Sequence, residues 1–366
     1  MESTVSEKRE ASRESDNSTT VESTERESVS EEIDRMDLRA LVGQMFVVSV
    51  SGTESDYYID KMIRERNIGG VLLFGYNMQN EAQTRALVDS LQSLAVNTEP
   101  ALPLFVAVDQ EGGEISSAPW VTPQPAAAEV GARGDPSEAR RIAEQIGSEL
   151  RRAGINTDFA PVVDTGFGAA IGTRSYGEDP SLVSQMGAAS VEGFEAAGVV
   201  SAAKHFPNHG VAAVDSHVGF PVVEHDMPTI LSYDLPPFRA AVRAGVPMVM
   251  VGHLIYPAIA PERPASLSPR AIQLLREELN FDGIVVSDDL SMAGASGGES
   301  PAEATVAAVK AGVDLVIVSS PAQEQADAYE AIVSAVEADE IPRERIEQSV
   351  RRIVEVKRNY PIYGGA

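Results

Sequence analysis

All five histidines of the 366-residue chain lie between His205 and His253. Three of them fall in the stretch from Lys204 to His217, which also contains Asp215. Histidine can exchange protons near neutral pH because its unperturbed pKa is about 6.5. Its concentration beside a lysine and an aspartate therefore indicates a site that transfers protons rather than a group of core histidines.

Further polar side chains follow apolar segments that are predicted as strands. They are Asp109 after the third segment, Asp164 after the fourth, Lys204 and His205 at the end of the fifth, His253 after the sixth, and Asp288 with Asp289 at the end of the seventh. Each one alone could cap a helix or pair with another charge. Together they predict an active site, because the ends of parallel strands in a barrel meet at one mouth. Burying that many charges there without a function would be costly.

Eight short apolar segments supply these strands, and most are continuous rather than alternating, as in a parallel sheet covered on both faces. They are residues 45–50, 68–74, 104–109, 157–163, 199–205, 246–252, 283–288 and 315–319. Amphipathic helices are predicted between them, for example at residues 80–96, 136–153, 180–197, 268–279 and 301–311. The pattern predicts an α/β fold, a (β/α)8 TIM-type barrel closed by a last helix at residues 343–358. An open doubly wound sheet is the alternative, but no glycine-rich dinucleotide turn follows the first strand.

The chain is predicted to have one domain and a tail. Residues 1–34 are almost wholly Ser, Thr, Glu, Arg and Asp, and we expect a disordered acidic tail because such a segment buries too little surface to fold. Residues 35–366 are expected to form the barrel. The tail has no apolar core of a signal peptide, and no apolar run of about 18 residues predicts a membrane span. The predicted location is the cytoplasm.

The charge balance limits the classes of partner. The net charge is -26, with 55 acidic residues and 29 basic ones, so nucleic-acid binding is not expected. An acidic surface poor in lysine is typical of a protein that stays soluble in concentrated salt, although an ordinary acidic cytosolic protein is the simpler alternative. The chain has no cysteine, which excludes disulfides and thiolate chemistry.

Four motifs carry a resemblance to a known family. They are Lys204-His205-Phe206-Pro207-x-His209-Gly210 followed by Asp215-Ser216-His217, Asp109-Gln110-Glu111-Gly112-Gly113, Arg174-Ser175, and Ser287-Asp288-Asp289-Leu290-Ser291-Met292. In this order and spacing the chain resembles family 3 of the glycoside hydrolases, from about residue 37 to 358. Within that family it is similar to the single-domain β-N-acetylhexosaminidase branch.

The resemblance implies hydrolysis of terminal β-linked N-acetylglucosamine with retention of configuration and without a cofactor. The matching nucleophile is Asp288. Such an enzyme also needs a proton donor at the leaving oxygen. Because the chain ends at Ala366 with no second domain to supply a carboxylic acid, the barrel is expected to provide it. The matching residue is His217, oriented by Asp215.

The same match assigns sugar binding to Asp109, Arg174, Lys204 and His205, whose charged groups suit hydroxyl and acetamido partners. Asp289 is expected to support the nucleophile, because adjacent residues on a strand point to opposite faces.

The chain departs from the family pattern at three positions. Glu114 and Ser117 stand where the family commonly has arginine, and Asn208 stands where it has glycine. The departures indicate either a changed sugar preference or another residue that takes the place of the arginines.

Two other classes of protein stay open. A metal-dependent barrel hydrolase could use His205, His209, His217 and His253 with an aspartate as ligands. A degenerate barrel could bind sugars without turnover. Within the glycosidase reading, phosphorolysis could compete with hydrolysis, because a histidine acid/base does not repel phosphate. The only expected partner is a small carbohydrate. The aglycone and the oligomeric state are not predicted.

Overall fold

Eight parallel strands form a closed barrel in the computed structural model, which describes residues 29–215, 221–292 and 299–362. In chain order the strands are β1 (Phe46–Ser49), β2 (Gly70–Leu72), β3 (Phe105–Val108), β4 (Thr157–Asp158), β5 (Val200–Phe206), β6 (Met248–Val251), β7 (Ile284–Asp289) and β8 (Leu315–Val318). Each strand pairs with the next one, and β8 pairs with β1. The predicted TIM-type barrel is confirmed.

Helices cover the outside of the barrel. They are Leu38–Gln44, Tyr57–Arg66, Glu81–Val96, Ala127–Arg133, Pro136–Arg152, Pro180–Ala196, Pro236–Arg243, Pro269–Glu278, Pro301–Ala311, Ala322–Glu337 and Arg343–Asn359. The helices predicted from periodicity end within about a residue of these bounds. In the described ranges, no helix is both long and apolar enough to cross a membrane.

Local sequence explains where the helices begin and end. Asp135 and Asp179 each accept a hydrogen bond from the backbone of the following first turn, and both helices start with proline. Ser300 and Glu303 form a capping box at the helix Pro301–Ala311, and Gly312 ends that helix with a φ of 118°.

Most strand residues are apolar, because helices cover one face of each strand and the barrel interior covers the other. All four residues of β3 are inaccessible to solvent. Neighbouring strands lie close together, and a β-carbon on Gly70 would come within 2.7 Å of the Phe105 carbonyl oxygen. The core is therefore continuous from strand to strand around the ring.

The predicted boundary of the tail is wrong. Residues 29–34 are helical, and Val29 and Ile33 are each only 2% exposed. Their spacing of four residues places both on one helix face, which packs into the core. Arg351 donates to Ser30 Oγ at 2.8 Å, which ties this turn to the last helix. Residues 1–28, to which the prediction of disorder also applies, lie outside the described residues.

Candidate active site

A cleft of about 420 Å³ lies over the carboxyl ends of the strands. Its polar lining comes from Asp109, Glu111, Ser117, Arg174, Lys204, His205, His209, Asp288, Asp289 and Ser319. Its apolar lining comes from Leu72, Phe74, Ile115, Phe159, Ala170, Met250, Met292 and Ile317. This is the face on which TIM-barrel enzymes place their active sites.

Five of the seven predicted site residues line this cleft: Asp109, Arg174, Lys204, His205 and Asp288. Asp215 is half-buried and is the last described residue before the gap at residues 216–220. His217 lies in that gap, outside the described residues, so its predicted role stays a prediction.

Lys204, on β5, is buried beneath the cleft. Its ammonium donates to Asp109 Oδ1 at 2.6 Å and lies 2.7 Å from Glu111 Oε1. Burial lowers the pKa of Lys204, but the two carboxylates outweigh that effect and the net shift is upward. Lys204 is therefore a permanent cation that holds two acidic side chains at one wall.

Arg174 meets the other side of the same glutamate. Its Nε and Nη2 donate to the two carboxylate oxygens of Glu111 at 2.8 and 2.7 Å, a bidentate pair. Burial raises the pKa of Glu111, yet Lys204 and Arg174 overcome it and hold that pKa at about 2. Glu111 is thus ionised and orients both cations. The set Asp109, Lys204, Glu111 and Arg174 is called the polar wall below.

His205 follows Lys204 and is fixed by Asp164. The His205 ring Nδ1 and its backbone amide lie 2.7 and 3.1 Å from Asp164 Oδ2, and the His209 amide donates to Asp164 Oδ1 at 2.6 Å. Burial and the nearby charge of Arg174 lower the pKa of His205 well below 6.5. The ring is then neutral, Nδ1–H donates to Asp164, and Nε2 is left to accept a hydrogen bond in the cleft.

Asp288 lies near the end of β7, which is opposite β3 in the ring and two strands away from β5. Burial raises its pKa, but His253, the Asp289 amide and Lys204 outweigh this and lower it. The amide donates to Asp288 Oδ1 at 2.8 Å. Asp288 is therefore an ionised carboxylate that faces the cleft, which is the state a nucleophile needs.

Asp289 stabilises the end of β7. The prediction that strand alternation turns Asp288 and Asp289 to opposite faces is wrong. Both aspartates line the cleft, because the pairing of β7 with β8 shifts register before Asp289. The Asp289 carboxylate accepts hydrogen bonds from the Ser291 and Ser319 amides at 3.0 and 3.1 Å and also from the Ser319 hydroxyl. Its oxygens are occupied in joining the two strand ends.

His253 makes hydrogen bonds with both ring nitrogens. Nε2 lies 2.9 Å from the Asp289 carbonyl oxygen and Nδ1 lies 2.7 Å from the Ser266 hydroxyl. Since a carbonyl only accepts, Nε2 carries a proton. Among the described residues, no three His, Asp or Glu side chains are grouped so that they could hold a metal ion.

Known proteins are similar to this chain in sequence and in fold. Residues 37–356 match the family model described as the glycosyl hydrolase family 3 N terminal domain. The chain belongs to glycosyl hydrolase family 3. It is 38% identical to "Beta-hexosaminidase A" of Pseudoalteromonas piscicida over 83% of this chain, and 38% identical to "Beta-hexosaminidase" of Stenotrophomonas maltophilia over 76% of it. It spans 55% of the first relative and 84% of the second.

A solved family 3 structure has the same fold. The β-N-acetylglucosaminidase of Paenibacillus sp. str. FPU-7 superposes with a TM-score of 0.87 and 39% identity over 90% of this chain, which spans 64% of that chain. The matches confirm the predicted resemblance, including the hexosaminidase branch.

The departures from the family 3 pattern have different positions in the structure. Glu114 is exposed at the turn of a hairpin formed by Gln110–Gly112 and Ile115–Ser116. Ser117 lines the cleft and donates to the Asp109 carbonyl at 2.8 Å. Arg174, which belongs to the family motif itself, brings a guanidinium to this part of the cleft.

Asn208, the third departure, is fully buried. Its Oδ1 accepts from the Thr165 and Gly210 amides at 3.0 and 2.9 Å, and its Nδ2 donates to Asp234 Oδ1 at 2.8 Å. The other Asp234 oxygen lies 2.8 Å from His225 Nδ1. A glycine could form none of these side-chain bonds, so Asn208 joins the segments after β4 and β5.

No sequence-based role is predicted for Glu111, although it belongs to the motif that begins at Asp109, and Asp164 is predicted only as one of the polar strand ends. Asp158 was also missed. It is fully buried, accepts from the Gln110 amide at 2.9 Å, and its Oδ2 has no hydrogen-bond partner within the described residues. Burial raises the pKa of Asp158 well above 3.8. The sequence feature that could have identified Asp158 and Asp164 is their position at the two ends of an apolar segment.

Proposed function

We propose that the chain is a retaining exo-glycosidase that releases terminal β-linked N-acetylglucosamine. The observation that carries the proposal is the ionised Asp288 facing, across one cleft, a wall of four charged side chains. That wall suits a sugar with several hydroxyls, and the Asp288 carboxylate, which unlike that of Asp289 is not occupied in joining two strand ends, suits attack at the anomeric carbon. The names printed for the relatives, β-hexosaminidase and β-N-acetylglucosaminidase, support the same sugar.

In the proposed first step, an Asp288 oxygen bonds to the anomeric carbon while the bond to the leaving oxygen breaks. Protonated His217, oriented by Asp215, gives its proton to that oxygen. In the second step neutral His217 takes a proton from water, the hydroxide bonds to the anomeric carbon, and the Asp288 carboxylate is released. The roles of His217 and Asp215 rest on the motif match.

A leaving-group panel tests this assignment. Asp288→Ala should lower turnover of every aryl β-N-acetylglucosaminide by more than about 10³-fold, because no covalent intermediate can form, and a slow 2-fluoro glycoside should label Asp288 in the wild type. His217→Ala should impair poor leaving groups far more than acidic phenols, which leave without a proton. Added azide should partly restore the turnover of the acidic phenol glycosides by this variant, because azide replaces water as the attacking nucleophile.

Label on Asp289 would contradict the nucleophile assignment. An equal loss on all leaving groups in His217→Ala, together with inhibition by EDTA, would instead favour the metal-dependent hydrolase. Assays with and without phosphate separate hydrolysis from phosphorolysis by the product, free sugar or sugar 1-phosphate.

A further inference from the structure

We infer that Phe74 and Tyr76 form a stacking platform for the sugar ring on the leaving-group side of the bond that is cut. The inference rests on the proposed function and adds the class of aglycone. The platform would take the second residue of a β-linked oligosaccharide of N-acetylglucosamine.

The two rings lead from the cleft to solvent. Phe74 follows β2 and lines the cleft, whereas Tyr76, two residues later, is 60% exposed. The rings are stacked, with centroids 5.6 Å apart and planes inclined by 16°. Tyr76 is therefore an exposed aromatic ring that is linked to the cleft by its stacking on Phe74.

The turn that carries the rings is fixed by Asn77. This residue is fully buried, its Oδ1 accepts from the Phe74 amide at 2.8 Å, and its Nδ2 donates to the Val50 and Gly52 carbonyls at 2.9 and 2.7 Å. The 3-10 turn Gly75–Asn77 is thereby tied to the segment after β1. A platform held in place before binding loses little conformational entropy when a ligand arrives.

The division of the cleft indicates which part of a substrate would reach this platform. Strands β3 to β5 carry the polar wall, whose charges suit the hydroxyls of the terminal sugar. Leu72, Phe74, Met292 and Ile317, on or after β2, β7 and β8, contribute apolar surface to the side of the cleft that also carries Asp288 and Asp289. In this proposal the polar wall holds the terminal sugar, and the next residue of the substrate is placed on the side of Phe74.

The chemistry of the occupant follows from the surface. In a β-linked N-acetylglucosamine unit the substituents are equatorial, so each face of the ring presents C–H groups. Such a face packs on an aromatic ring through dispersion and through attraction of C–H groups to the negative π face. A simple alkyl aglycone has no ring and cannot use the platform.

Two substrates with similar alkoxide leaving groups test the inference, N,N'-diacetylchitobiose and methyl β-N-acetylglucosaminide. For Tyr76→Ala we expect kcat/KM on the disaccharide to fall about tenfold, the effect of roughly 1.4 kcal/mol, with the methyl glycoside changed less than about twofold. Tyr76→Phe should keep the disaccharide activity because it keeps the ring. Tyr57→Ala is the control, since Tyr57 is also exposed, at 78%, whereas Tyr76 is the one of the two that stacks on the cleft residue Phe74.

Equal losses on both substrates, no loss in Tyr76→Ala, or the same loss in Tyr57→Ala would overturn the platform while leaving the glycosidase intact. Thermal unfolding of Tyr76→Ala should match the wild type, because most of the side chain is in solvent. A wild type that cleaves neither substrate would contradict the proposed function itself, and the platform with it.

Discussion

At the scale of residues, the site depends on one acid that joins two cations. Glu111 has a side chain only 6% exposed and contacts both Lys204 and Arg174. A buried cation without a negatively charged partner strongly destabilises the folded protein. Glu111 therefore allows Lys204 and Arg174 to lie side by side at the cleft. It is a positioning residue, because the groups that it orients are the ones assigned to the sugar.

Replacing Glu111 should change the free energy of unfolding in a way that depends on pH. Since the pKa of Glu111 is about 2 in the folded protein and 4.5 in its unperturbed state, its stabilisation is present above pH 4.5 and is lost as the pH falls towards 2. Glu111→Gln should therefore lower the free energy of unfolding by about 3 kcal/mol at pH 7, and by less at pH 3. Urea unfolding at both pH values measures this.

The same variant should raise KM more than it lowers kcat, because it disturbs sugar binding rather than Asp288. Glu114→Gln is the matched control, with the same chemical change at an exposed position three residues away. Equal effects of the two variants, or a stability difference that does not vary with pH, would contradict the role of Glu111.

At the scale of elements, the connections after β4 and β5 are held together from below the cleft. Asp234 ends a π-helical turn, Ile230–Asp234, and is fully buried between Asn208 and His225. Tyr256 adds a hydrogen bond from its hydroxyl to the Asn208 carbonyl at 2.7 Å. Three segments of the chain, at Asn208, between His225 and Asp234, and at Tyr256, meet at this cluster.

Removing the central acid should loosen these connections. Asp234→Ala leaves the buried Asn208 amide without one acceptor, so we expect the free energy of unfolding to fall by about 2 kcal/mol. Glu224→Ala removes the same charge from an exposed position and should change stability by less than about 0.5 kcal/mol. If chemical denaturation gives the two variants the same midpoint, the cluster has no stabilising role.

At the scale of the whole molecule, the main feature is the large excess of acidic residues over basic ones. The net charge is -26, and many of the described ion pairs, such as Arg35 with Glu31 and Lys310 with Glu340, are exposed and contribute little individually. Repulsion among the remaining carboxylates opposes the compact state until ions screen it.

The melting temperature should therefore rise between dilute buffer at pH 7 and molar potassium chloride, because the added ions screen that repulsion. The isoelectric point of about 4.5 provides the control. Near that pH the net charge vanishes, and the salt effect should shrink. A melting temperature that is independent of salt at pH 7 would remove the high-salt hypothesis.

The sequence by itself determined the barrel and the set of strand ends that form its mouth. Both depend on local information: continuous apolar segments, caps such as Asp135 and Asp179, and the rule that parallel strands end on one face. Once the barrel was predicted, the convergence of Asp109, Lys204 and Asp288 followed from topology.

Only the tertiary structure decided which charged groups pair and where the folded part begins. Glu111 meets Arg174 across 63 residues, a choice made by the geometry of a hairpin and a loop rather than by either segment alone. The turn at residues 29–34 is helical because Val29 and Ile33 find a buried surface in the folded protein, with the last helix, about 320 residues away, holding Ser30. Local composition predicts disorder there, and burial against a distant element overrides it.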